Sequence, residues 1–147
     1  MIRKICKEDR ELYLRMAYEF YHTDAVDHSL PEVHYEATFE ELMRSDVYAS
    51  AYILEYQNQP AGYALLSRSF SQEAGGSVIW IEELYVDPSY RGCGLGREFL
   101  NFVVKGDAGS YKRLRLEVAP DNHRAMSLYR QLGFKPLSYQ QMILDHI

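Results

Sequence analysis

Two neighbouring glutamates, Glu82 and Glu83, and the glycine-rich stretch that soon follows them, Arg91-Gly92-Cys93-Gly94-Leu95-Gly96-Arg97, are the groups in this chain whose types and spacing invite chemistry. The stretch follows an apolar run (residues 78–86) and an Asp87-Pro88 break, and a run of helical periodicity comes after it. Strand, tight loop and helix in that order set backbone N–H groups at a helix N-terminus, where they can hold an anion, above all a phosphate. Two common phosphate loops do not fit. The dinucleotide pattern G-x-G-x-x-G would need its third glycine one residue after Gly96, and the Gly-Lys-Ser/Thr ending of a P-loop is absent. Strand alternation sends Glu82 and Glu83 to opposite faces, so one of the two faces a ligand beside the strand. A carboxylate there can accept a proton or anchor a cation.

The elements that must position these groups are legible from periodicity. Residues 2–6 alternate weakly, as in an edge strand. Residues 8–20 place Leu12, Met16 and Phe20 at helical spacing, with Glu8, Asp9 and Glu11 in the first turn, where the helix dipole favours acids. Residues 21–33 are a mixed loop, and 34–44 a second helix through Phe39, Leu42 and Met43. Residues 49–56 and 61–70 form a hairpin around a 57–60 turn. The fourth strand leads into the glycine loop and a third helix over 94–105, with Leu95, Phe99, Phe102 and Val103 on one face. Residues 111–118 alternate as a fifth strand. A fourth helix follows, with Asp121 or Asn122 as N-cap and Gly133 just past its end. Residues 134–136 and 139–144 read as one or two last short strands. The order β-α-α-β-β-β-α-β-α-β describes an α+β, mixed-sheet domain, and 147 residues without linker or repeat fit one domain over the whole chain.

Composition narrows the function. With 47% hydrophobic and 25% charged residues the chain reads as an ordinary globular protein, and a net charge of −5 argues against non-specific nucleic-acid binding. Cys6 and Cys93 lie far apart and outside metal spacing, and the five histidines lack it too, so no metal is expected and both thiols read as reduced. No run approaches a membrane span and the N-terminus does not read as a signal peptide; the expected compartment is the cytoplasm.

A second segment decides between phosphate ligands. Asn122-x-x-Ala125-x-x-Leu128-Tyr129-x-x-x-Gly133-Phe134, together with Leu84-Tyr85-Val86-Asp87-Pro88 and Arg91-x-x-Gly94-x-Gly96, resembles the GNAT superfamily, the GCN5-related N-acetyltransferases. The resemblance implies a central mixed, mostly antiparallel sheet with helices on both faces and parallel strands 4 and 5 splayed apart, and acetyl-CoA as cosubstrate. It implies that backbone groups of Gly92, Cys93, Gly94, Leu95, Gly96 and Arg97 hold the pyrophosphate, with Arg91 opening the loop. Backbone groups of Leu84, Tyr85 and Val86 would pair with the pantetheine arm, and Asn122 would fix it from the other side. Tyr129 would point its hydroxyl at the sulfur, and Glu82 matches the position of the base, or amine anchor, in amine-acetylating relatives. Glu83, Asp24 and Asp27 are the candidates for acceptor binding, with Glu32 in the same acidic loop. Cys93 departs from the basic or polar residue common at its place, and its backbone can still donate. The acceptor implied is a small primary amine of polyamine, aminoglycoside or amino acid type. A protein or peptide N-acetyltransferase and a non-catalytic acyl-CoA sensor are the alternatives. Homodimers are frequent in the resembled family.

Overall fold

In the computed structural model, which describes residues 1–23 and 30–146, the chain falls into two compact units, Met1–Glu117 and Val118–Ile147. The first holds a five-stranded sheet in the order β1-β2-β3-β4-β5: β1 (Ile2–Lys4), β2 (Ala49–Tyr56), β3 (Gln59–Ser71), β4 (Gly76–Val86) and β5 (Arg113–Leu116). The first four strands run antiparallel and β5 joins β4 in parallel. This is the mixed, mostly antiparallel sheet expected.

Both faces of the sheet are covered in the way the periodicity demands. Helices α1 (Arg10–Phe20) and α2 (Glu32–Arg44) bury Tyr13, Met16, Phe20, Tyr35, Phe39 and Leu42 against Ala51, Ile53, Tyr63 and Tyr85. On the opposite face α3 (Leu95–Val104) meets Tyr52 through Phe99 and Phe102, with ring centroids 6.0 and 5.2 Å away. Alternation along β2 separates Tyr52 from Ala51 and Ile53, so one strand serves both layers.

Several local details differ from the sequence reading. A short 3-10 turn, Lys7–Asp9, precedes α1, because Asp9 is drawn out of the helix. Its carboxylate takes a two-pronged bond from Arg3 (2.8 and 2.9 Å) and the Cys6 N–H, and the Arg3 guanidinium holds its pKa below the usual carboxylate range. The first hairpin turns in two residues, not four. Gln57 (φ 51°) and Asn58 (φ 64°) are both left-handed, the mirror-type turn whose twist matches paired strands. The last strands expected over 134–136 and 139–144 are not formed: among the described residues no strand follows β5, and Met142, Ile143 and Leu144 are exposed. Apolar side chains do not make a strand unless a neighbour completes its ladder, and Pro136 has no N–H to offer one.

The second unit contains α4 (His123–Gln131). The Asn122 side chain accepts the Ala125 N–H at 3.2 Å as N-cap, and Gly133, at φ 98°, ends the helix. No helix among the described residues is long and apolar enough to cross a membrane.

Gly62 shows how tightly β3 is set against β4: a Cβ there would lie 2.1 Å from the Tyr85 carbonyl oxygen. Backbone cannot retreat as a side-chain tip can. Gly62→Ala is therefore expected to cost about 3 kcal/mol and to lower Tm by roughly 5–10 °C in a thermal melt.

Candidate active site

The site is built on an irregularity in β4. Opposite β3, Leu65 pairs with Glu83 and Leu66 with Ile81, which leaves Glu82 as an extra residue, a β-bulge. On its other edge β4 pairs with β5 only from Val78↔Arg113 to Ile81↔Leu116. From residue 82 to 86 that edge of β4 has no strand partner among the described residues. The parallel strands part where the bulge stands, and this leaves backbone groups of Leu84, Tyr85 and Val86 on an open edge.

The bulge corrects the expectation that Glu82 and Glu83 face opposite ways. One inserted residue resets the alternation, so residues on either side of it come to the same face. Ser67 Oγ donates to Glu82 at 2.8 Å, and Tyr63 Oη donates to Glu83 at 2.6 Å. Tyr63 and Ser67 are even-spaced residues of β3 and share its α1/α2 face. Both carboxylates are thus turned to that face, in unlike surroundings. Glu82 is exposed. Glu83 is largely enclosed; it also accepts from Tyr21 Oη, and the Tyr13 and Tyr35 rings stand close to Tyr63 and Tyr21. Burial pushes the Glu83 pKa up; the two tyrosine donors pull against that, and the charge of Glu82 adds to the rise.

At the other end of the open edge the glycine loop meets α3. Gly92 (φ 82°) and Gly94 (φ 81°, the N-cap) are left-handed, a conformation costly for any side chain. The Gly94 carbonyl already accepts the Glu98 N–H at 2.9 Å, so the N–H groups of Leu95, Gly96 and Arg97 form the first turn, for which a helix has no internal acceptor. Outside its own helix, a Cβ at Gly96 would meet nothing nearer than Leu84 Cδ2, at 3.9 Å. The fold itself would accept an alanine there, and the missing Cβ leaves room over the first turn. Arg91 lies back over the strand end, its Nε donating to the Val86 carbonyl at 3.2 Å, and Cys93 is exposed. The Tyr85 hydroxyl donates to Glu19 at 2.7 Å and pins β4 to α1. These features suit a long phosphate-bearing ligand: an open strand edge for an extended amide arm, then a glycine-lined helix N-terminus for its phosphates.

In the second unit Tyr129 is half-buried against Phe134, ring centroids 5.9 Å apart, and burial pushes its hydroxyl pKa up. Asn122 is exposed and its side-chain oxygen serves the helix cap. A shallow groove along α4, lined by Pro120, His123, Met126, Ser127, Arg130 and Gln131, includes none of the expected site residues. Asp24 and Asp27 lie outside the described residues. Among those described, no group of three or more His, Cys, Asp or Glu side chains is arranged to hold a metal.

Residues 11–134 match the model of the Acetyltransferase (GNAT) family, across both units. The chain belongs to the GNAT acetyltransferase family. A thialysine N-epsilon-acetyltransferase from Bos taurus is 36% identical over 114 residues, 67% of this chain and 66% of that protein. A spermine/spermidine N(1)-acetyltransferase from Bacillus subtilis (strain 168) is 28% identical over 86 residues, 56% of this chain and 57% of that one. These matches span less than two thirds of each relative's own length. Among solved structures, AAC(6')-Iy in complex with the bisubstrate analog CoA-S-monomethyl-acetylneamine superposes with a TM-score of 0.79 at 18% identity, covering 100% of this chain and 98% of that one, which is likeness of fold. GNAT membership accounts for the glycine loop, the open strand edge and the second motif together. It leaves unexplained several side chains around the bulge that the sequence did not single out: Ser67, Tyr21, Tyr63, Trp80 and Arg115. Their signal is tertiary, since each joins the site through strand register or helix packing.

Proposed function

We propose that this GNAT chain is an acetyl-CoA-dependent N-acetyltransferase acting on the primary amine of a small molecule, by direct attack within a ternary complex. The observation that carries the reading is the bulge, which turns two carboxylates to one face where β4 loses its partner strand. Acetyl-CoA supplies an acyl group already activated as a thioester. Its arm suits the open edge at Leu84, Tyr85 and Val86, and its phosphates the N–H groups of residues 92–97. Asn122 is assigned to the arm by the second motif.

The chain's own residues manage charge and protons. A lysine-like amine, with a pKa near ~10.4, arrives protonated and cannot attack in that form. Glu83, enclosed and negative, favours its arrival. Glu82, open to water and held at one oxygen by Ser67, takes that proton first, directly or through one water, and releases it to solvent; the neutral amine then attacks the thioester carbonyl, and Glu82 takes the second N–H proton as the N–C bond forms. The C–S bond then breaks and the electron pair leaves on sulfur. Tyr129 acts as hydrogen-bond donor to that sulfur. Its hydroxyl is harder to ionise than free tyrosine, whereas a simple thiol has a pKa near ~8.5. Full proton transfer from Tyr129 would run uphill, so the hydroxyl stabilises the thiolate and solvent protonates it.

The test is an assay for free CoA thiol with the purified protein, acetyl-CoA and a panel of polyamines, aminoglycosides, amino acids and peptides. Turnover with at least one small amine is expected, together with a rise in Tm on adding CoA. CoA stabilisation without turnover on any amine would leave a sensor; absence of both would end the reading. Two separate cysteines without a disulfide fit a cytoplasmic setting.

A further inference from the structure

Beside the bulge, on the same face as the two glutamates, stands an arginine that the mechanism above does not use. Trp80 pairs with Ser67 across β3 and with Arg115 across β5, and these paired residues share the α1/α2 face. The Arg115 guanidinium lies flat over the Trp80 ring, 4.1 Å from its centroid. The two arginines of β5 differ in their partners. Arg113 is ion-paired to Glu73 at 2.8 Å, whereas Arg115 makes no ion pair with a carboxylate among the described residues. Stacking on an aromatic face fixes the plane of a guanidinium and leaves its N–H edge free to grip a carboxylate with two parallel bonds. The position is also pointed: β4–β5 pairing ends at Leu116, one residue beyond Arg115, so the guanidinium is at the start of the gap. Both Trp80 and Arg115 are half-buried, within reach of a small molecule.

We propose that Arg115, held by Trp80, is a carboxylate subsite, and that the acceptor is an amino acid or amino acid derivative whose amine faces Glu82 and Glu83. This rests on the N-acetyltransferase reading and narrows its substrate class. A polyamine or an aminoglycoside brings positive charge alone and would meet Arg115 as repulsion. An amino acid brings both signs, and the face offers both: carboxylates at the bulge and a guanidinium beside it.

The decisive comparison is L-lysine against 1,5-diaminopentane, which differ only by the carboxylate, assayed with the wild-type chain, Arg115→Gln and Arg115→Lys. For the wild type, kcat/KM for lysine is expected to exceed that for the diamine at least tenfold, the scale of a charge-assisted bond. Arg115→Gln should collapse the lysine/diamine ratio towards unity, chiefly through the KM for lysine, and Arg115→Lys should restore part of it. Equal use of both amines by the wild type, a preference for the diamine, or a ratio that Arg115→Gln does not move would overturn the proposal. The wild-type ratio alone decides if the variants fail to fold. Failure of every amine in the panel would instead remove the acetyltransferase reading itself, so the two failures are distinguishable.

Discussion

Tyr129→Phe is expected to lower kcat by roughly 10²–10³-fold, the usual loss when a donor to developing charge is removed. The midpoint of CoA titration followed by thermal shift should stay nearly constant. The substitution removes one oxygen and keeps the ring that packs edge-on to Phe134, so little stability is at stake. Because burial raises the hydroxyl pKa, the wild type should keep its donor across the neutral range, and the alkaline limb of its pH profile should not report loss of the Tyr129 proton below about pH 10. A kcat within threefold of wild type would show that sulfur is stabilised by another group. A matching loss of CoA affinity would show that the hydroxyl serves binding and not turnover.

Glu83→Gln should separate activity from stability. Removing the enclosed charge is expected to reduce kcat/KM for a cationic amine by roughly 10- to 100-fold, as for the loss of one hydrogen-bonded charge pair. Stability should move the other way. Glu83 binds its proton more tightly in the folded chain than in the unfolded one, where a glutamate titrates near ~4.3. Ionised Glu83 therefore opposes folding. That opposition is absent below about pH 4 and complete once the pH exceeds the folded value, so the advantage of Glu83→Gln in Tm should grow as pH rises from 4 towards neutrality and then level off. A Tm loss that is the same at pH 4 and pH 7.5 would identify Glu83 as a structural tie between Tyr21 and Tyr63. An unchanged kcat/KM would assign amine attraction to Glu82 alone.

Much of the molecule is readable one residue at a time. Residues 49–56 are bounded correctly because Ala49 to Tyr56 is a mostly apolar run closed by the turn residues that follow it, and the structure ends that strand at Tyr56. The third helix was found because Leu95, Phe99 and Val103 must face one way. The glycine loop was legible because left-handed backbone at Gly92 and Gly94 selects its own residue type. The final strands fail by the same logic applied too far: residues 139–144 carry Tyr139, Met142, Ile143 and Leu144, but a ladder needs a partner, and a list of side chains does not supply one.

The sequence by itself determined the family, the strand–loop–helix that can cradle phosphates, and the adjacency of two carboxylates, since these depend on backbone conformation and on neighbours along the chain. Only the tertiary structure decided what those carboxylates face. A bulge is a relation between two strands, because Glu82 is extra only when Leu65 and Leu66 are counted opposite it, and that single offset turns Glu83 inward among Tyr21 and Tyr63. Parallel register likewise sets Arg115 over Trp80, which are far apart in sequence and adjacent only through the pairing of β4 with β5. Local propensity acts along the chain and can specify a cofactor loop; the side chains proposed here to select the acceptor are brought together by pairing across it.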